Sequence, residues 1–230
     1  MAVKISGRNI AADAARVLDV ALGGGVAIVH LDVGYAVIGR TSEAIRRIYT
    51  AKQRSYDKPT GIVGNHALHE ELHILDDRAR AMVRRITIDH DLPLAVIAPF
   101  RSAHPLLNTL DPFVFANAIK GETLNILLNA GELRNCLADL AVSQGTLLAG
   151  SSANVSGRGI QYRLQDVDAE IREIADVEID YGLSAYHNAA RRSSTMIDFS
   201  TLRLQRAGVC FERIAGILGE EFGVELKAST

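Results

Sequence analysis

The sequence predicts an α/β protein built on one twisted, mixed sheet. Short apolar runs alternate with segments whose apolar residues recur at helical spacing. Hairpin-like strand pairs flank this alternation at each end of the chain. Neither a repeat nor a low-complexity linker divides its 230 residues, so a single domain over 1–230 is expected.

The elements follow in order. "NIAADAARVLDVAL" sets Ile10, Ala14, Val17 and Leu18 on one helical face, and Gly23, Gly24 and Gly25 stop that helix. "VAIVHL" (26–31) and "YAVIG" (35–39) read as neighbouring strands. "TSEAIRRIYTAK" (41–52) is a helix capped by Thr41 or Ser42, and "TGIVG" (60–64) is a short strand. "HALHEELHILDDRARAMVRRI" (66–86) reads as one long helix with Leu68, Leu72 and Leu75 inward. "LPLAVIAP" (92–99) and "TLNILLN" (123–129) are strands. A helix over 131–144 leads into the strand "TLLAG", and 164–175 is another helix. The strands "DVEIDY", "STMIDF" and "LRLQRAG" precede a closing helix, "CFERIAGILGEEFG".

Composition narrows the function. A formal net charge of −2 gives no global reason to bind nucleic acid or an anionic membrane, although a local basic patch would be hidden in that total. Cys136 and Cys210 are too few for a disulfide framework and point to a reducing compartment. The N-terminus lacks the apolar core and cleavage site of a signal peptide, and no apolar run reaches membrane-spanning length. A cytoplasmic location is expected, with no membrane partner.

The chemistry concentrates in two places. "TLLAGSSANVSGRG" (146–159) places Ser151, Ser152, Asn154 and Ser156 just after an apolar strand. In open α/β sheets ligands bind beyond the carboxyl ends of strands, and hydroxyls, amides and free N–H groups there can cradle an anion. A plain turn would use the same residue types. "YTAKQRSYDKPTGIVG" (49–64) concentrates Lys52, Arg54 and Lys58 at a helix end, followed by Pro59. Such cations satisfy the helix dipole, and they also suit a triphosphate.

Other motifs fail on their context. "HEELH" (69–73) puts His69 and His73 on one helical face with Glu70 between them, but a catalytic zinc needs a third ligand. The nearest histidine, His90, lies in a predicted loop, so no metal site is assigned. "SYDK" (55–58) and Ser152-Ala153-Asn154 lack the K-T-G that would complete a serine acyl-transferase. Neither G-x-x-x-x-G-K-[ST] nor G-x-G-x-x-G is present.

The cation run and the Ser-Asn loop, in that order, resemble the YrdC-like family of threonylcarbamoyl-AMP synthases. "DVGYAVIG" with Tyr35, "RRSSTMIDF" with Ser194 and Thr195, and "LRLQRAG" with Arg206 and Gly208 extend the resemblance over roughly 26–65 and 145–212. The family implies a twisted α/β sheet around a basic concavity. It also implies a reaction joining threonine, bicarbonate and ATP into a carbamoyl-adenylate with release of pyrophosphate. That product serves modification of an adenosine in tRNA. By the resemblance, Lys52, Arg54 and Lys58 would hold phosphates, and Ser152 and Asn154 the nucleotide with Mg²⁺. Ser194 and Arg206 would close the opposite wall, and Tyr35 would face the substrate. A non-catalytic module for double-stranded RNA or tRNA is the alternative. Oligomeric state is left open.

The sequence also departs from the family. Where the family has two threonines after its first strand, this chain has His30-Leu31-Asp32-Val33. The family's proline-glycine-proline-x-threonine stretch is missing from the middle of the chain, and "NILLNAGE" lacks the family's arginine. The losses fall on the amino-acid side of the site, so little turnover of threonine is expected.

Overall fold

The computed structural model describes residues 3–6 and 8–228. Helix α1 spans Ile10–Leu22, and the side chain of Asn9 caps it by accepting from the Ala12 amide. Strands β2 (Ala27–Leu31) and β3 (Gly34–Gly39) form an antiparallel hairpin. Gly34 sits at φ +122° in its turn, where a Cβ would lie 2.3 Å from Ile160 Cγ1. Helix α2 (Ser42–Ala51) is capped by Thr41, and β4 (Gly61–Ile62) follows.

The long helix expected over 66–86 is two helices, α3 (His66–Leu72) and α4 (Asp77–Arg84), followed by a π turn at Arg85–Asp89. His73 turns extended, and Asp76 caps the second helix by accepting from the Ala79 amide at 2.7 Å. That carboxylate satisfies an otherwise unpaired N–H and so starts a new helix where apolar spacing alone would continue the old one.

Next come β5 (Leu94–Pro99), α5 (Pro112–Ala118), β6 (Ile119–Lys120), β7 (Thr123–Leu128) and α6 (Glu132–Ser143). Helix α5 was not expected from the sequence, although Asp111 caps it and Pro112 occupies its first turn. Strand β8 spans Ala149–Ser152, so Ser151 and Ser152 belong to the strand and not to the loop beyond it. The helix expected over 164–175 is a 3₁₀ turn at Leu164–Asp166 and a short α7 (Ala169–Arg172). Strands β9 (Val177–Asp180), β10 (Thr195–Asp198) and β11 (Arg203–Arg206) precede α8 (Phe211–Phe222). Two further strands, β1 (Val3–Ser6) and β12 (Lys227–Ala228), lie at the sheet edges.

Among the described residues the twelve strands form one mixed sheet, ordered β1-β9-β2-β3-β8-β4-β7-β5-β10-β11-β12, with β6 beside β7. One face packs against α2 to α5, α7 and α8 through residues such as Ile48, Leu72, Met82, Ile171 and Leu218. The other face is covered only in part. Helices α1 and α6 pack together over β9, β2 and β3, burying Val17, Leu18, Leu133 and Leu137 against Val29 and Ile179. The partial cover leaves room for a site on the face running from β8 to β11. No described helix is long and apolar enough to cross a membrane.

Candidate functional site

A concavity open to solvent, with a cavity volume of about 130 Å³, occupies the uncovered face. Strand register builds its floor. Ile38 opposes Gly150, Gly150 opposes Gly61, and Ala95 opposes both Leu127 and Met196, so these residues share one face of the pleat. The small residues Gly61, Ala95 and Gly150 keep the middle of the floor low.

Three arginines enter this concavity from three elements. Arg54, just after α2, donates from Nε to Lys58 O at 3.1 Å and from Nη2 to Pro59 O at 2.7 Å. Arg206, at the end of β11, donates from Nε to Ser194 O at 3.0 Å and from Nη2 to Ser194 Oγ at 3.2 Å. Arg134, on α6, donates from Nε to Leu127 O at 3.0 Å and from Nη2 to Ile62 O at 2.9 Å. Among the described residues none of the three pairs with a carboxylate, and no Asp, Glu or His lines the concavity. Burial pulls the Arg134 pKa down to about 10. Desolvation, and then the nearby charge of Arg54, lowers that of Arg206, although its side chain keeps contact with solvent at the cavity mouth, and screening there tempers the shift. Like charges gathered in a partly dry site without a counter-charge favour an anionic ligand.

The sequence-predicted residues divide between the cavity and its support. Tyr35, Arg54, Ser152, Ser194 and Arg206 line the cavity together. Tyr35 donates its hydroxyl to Asp180 Oδ1 at 2.6 Å, and burial followed by that contact raises its pKa. Lys52 lies behind the wall. It is 1% exposed, and its Nζ donates to the carbonyls of Ser152 and of Asn154, the latter at 2.6 Å. Asn154 is also buried and donates from Nδ2 to Val155 O at 2.7 Å. Lys58 is exposed and outside the cavity lining, with its carbonyl accepting from Tyr49 Oη and from Arg54.

Arg134 and Asn125 line the cavity and were missed from the sequence. Their signals were a charged residue on the inward face of α6 beside Leu133 and Leu137, and an amide alternating with apolar residues in "TLNILL". Neither pattern distinguishes a site residue from an ordinary polar one.

In the "HEELH" segment, His69 Nδ1 and His73 Nδ1 lie 2.7 Å apart, and His73 Nε2 is 3.2 Å from Leu124 O. Both rings are buried, which pushes their pKa values down to about 4 and about 3 and keeps them neutral. The Nδ1 atoms face each other at hydrogen-bond distance, so a metal could not sit between them without separating the rings. No group of three or more metal-ligating side chains occurs among the described residues.

Residues 19–208 match the model of the Sua5/YciO/YrdC family, whose description is telomere recombination. The chain belongs to that family. Among solved structures it is similar to the hypothetical protein smu.1377c of Streptococcus mutans UA159, with a TM-score of 0.79, 16% identity and coverage of 100% of this chain and 99% of that one. It is also similar to P. abyssi Sua5 in complex with L-threonine, with a TM-score of 0.75, 18% identity and coverage of 100% and 62%. E. coli YciO matches with a TM-score of 0.61, 13% identity and coverage of 86% and 90%. The chain thus spans less than two thirds of the Sua5 chain. No curated protein matches it.

Proposed function

We propose that this protein binds ATP or AMP in the concavity, with phosphates between Arg54 and Arg206 and beside Ser152 and Ser194. The observation that carries this reading is the group of three arginines on one cavity with no carboxylate among the described lining residues. Guanidinium groups bind phosphate oxygens in bidentate fashion, and two of them on facing walls can grip one polyphosphate. The lining offers a resident Mg²⁺ no carboxylate, so the ion would enter as the counter-ion of the triphosphate.

The family resemblance supports adenylate formation in the service of tRNA modification. In that reaction a carboxylate-type oxygen brought by the substrate attacks the α-phosphorus, and pyrophosphate leaves. A cavity lined by arginines and hydroxyls, without an Asp, Glu or His as general base, suits such chemistry. Its contribution would be charge neutralisation and positioning. The duplex-RNA reading has weaker support. Arg46 stacks 3.7 Å over Phe113, and Arg47 donates to Ile174 O and pairs with Asp176, so both cations on α2 already have protein partners.

Calorimetric titration with ATP and Mg²⁺ tests the proposal. Arg54→Ala and Arg206→Ala should each weaken binding by about 1.5–3 kcal/mol, the range for hydrogen bonds to charged groups. Unchanged affinity in both variants would remove this site.

A further inference from the structure

We infer that the inner end of the concavity is a subsite for a short aliphatic carboxylate carrying an uncharged hydrogen-bond donor, a 2-hydroxy acid, with its carboxylate on Arg134 and its hydroxyl on Asn125. This deepens the nucleotide reading by naming the class of co-substrate, and it rests on that reading only for its place in a reaction.

Four observations carry the inference. The first is Arg134, which is 6% exposed and lines the cavity. Its two hydrogen bonds go to backbone carbonyls through Nε and Nη2, and no described acid pairs with it. Neutral carbonyls hold a buried guanidinium in place without balancing its charge, so an anion is the missing partner. A planar carboxylate suits the fork that Nη1 and Nη2 present.

The second is Asn125, two residues before Leu127 and so on the same face of β7. Its Oδ1 is buried and has no hydrogen-bond partner. Buried acceptors are normally satisfied, so this oxygen calls for a donor from a ligand. The facing residue is Gly61, where a Cβ would lie 3.2 Å from Asn125 Nδ2. A side chain there would crowd the amide that the glycine leaves open.

The third is the apolar wall. Leu31, Val33 and Leu127 line this end and belong to one cluster with Leu133, the neighbour of Arg134 on α6. They suit an aliphatic body and leave a second hydroxyl without a partner.

The fourth is the absence of a carboxylate from the described lining residues. An ammonium group would meet three guanidinium charges and no counter-charge. That selects an uncharged donor over the ammonium of a free amino acid.

The test is calorimetry on the full chain without nucleotide, using 2-hydroxyisovalerate, valine and threonine as probes. The hydroxy acid should bind at least tenfold more tightly than either amino acid. Arg134→Met should cost at least tenfold in its affinity. Asn125→Leu should cost about fivefold, and it keeps the test available if Arg134→Met fails to fold, because no protein hydrogen bond to Asn125 Oδ1 is lost. Threonine or valine binding as tightly as the hydroxy acid would overturn the inference, as would full affinity in folded Asn125→Leu. ATP titrated into the same samples separates the two claims. ATP binding without hydroxy-acid binding rejects the subsite alone, and the converse rejects the nucleotide site alone.

Discussion

Lys52→Met is expected to destabilise the protein by about 2–6 kcal/mol, because it leaves two carbonyls without their donor at about 1–3 kcal/mol each. The carbonyls are those of Ser152 and Asn154, and Lys52 O itself accepts from the Ser156 amide at 2.9 Å. One buried lysine therefore ties the end of α2 to the strand and loop that form the cavity wall. Its pKa is pulled down from 10.5 to about 7, first by burial and then by Arg54. Charged or neutral, the amine still donates, so the tie persists across that pH. The folded protein releases this proton more readily than the unfolded chain does. The contribution of Lys52 is therefore greatest above pH 10.5 and declines as pH falls toward 7. The stability gap between wild type and Lys52→Met should widen by about 2 kcal/mol from pH 7 to pH 9. Urea unfolding at the two pH values checks this. A loss under about 1 kcal/mol, or a gap that narrows with pH, would contradict the role assigned to Lys52.

Gly208→Ala is expected to cost about 3 kcal/mol or more and to abolish nucleotide binding. A Cβ at Gly208 would lie 2.2 Å from Ser193 O and 2.2 Å from the Ser194 carbonyl carbon. Both are backbone atoms, so no flexible side chain can move aside. The same corner is held by the Gly208 amide donating to Thr195 Oγ1 at 3.1 Å and by the Val209 amide donating to Ser193 O at 2.8 Å. Displacing Ser194 also releases Arg206, whose guanidinium rests on the Ser194 carbonyl and hydroxyl. Gly216→Ala is the control. It lies in α8, and a Cβ there would meet nothing within 4 Å, so the change should be neutral or slightly stabilising. Thermal unfolding of both variants decides the matter, and wild-type stability in Gly208→Ala would refute the close approach.

The sequence was most informative where local physics acts alone. Apolar spacing located α1, α2, α6 and α8, because each buries one continuous stripe, and a hydroxyl cap added to the signal at α2. It misled at His73–Asp76, where a cap outweighed a continuing stripe. The site was legible as a set of residue types in order, but side-chain direction was not. Lys52 and Arg54 are two residues apart at a helix end. One turns inward to hold carbonyls, and the other lines the cavity. Only tertiary packing makes that choice. Arg134 was invisible for a related reason. The resemblance places an arginine on the strand of "NILLNAGE", whereas α6 brings one to the carbonyl of Leu127 on that strand from the next element.

An anionic nucleotide is proposed to occupy the arginine-lined concavity. The most direct measurement is an electron-density map of crystals soaked with ATP and Mg²⁺. Phosphate density is expected between the guanidinium groups of Arg54 and Arg206, within hydrogen-bond distance of Ser152 or Ser194. Density for the nucleotide on another surface, or an empty cavity at saturating ATP, would contradict it.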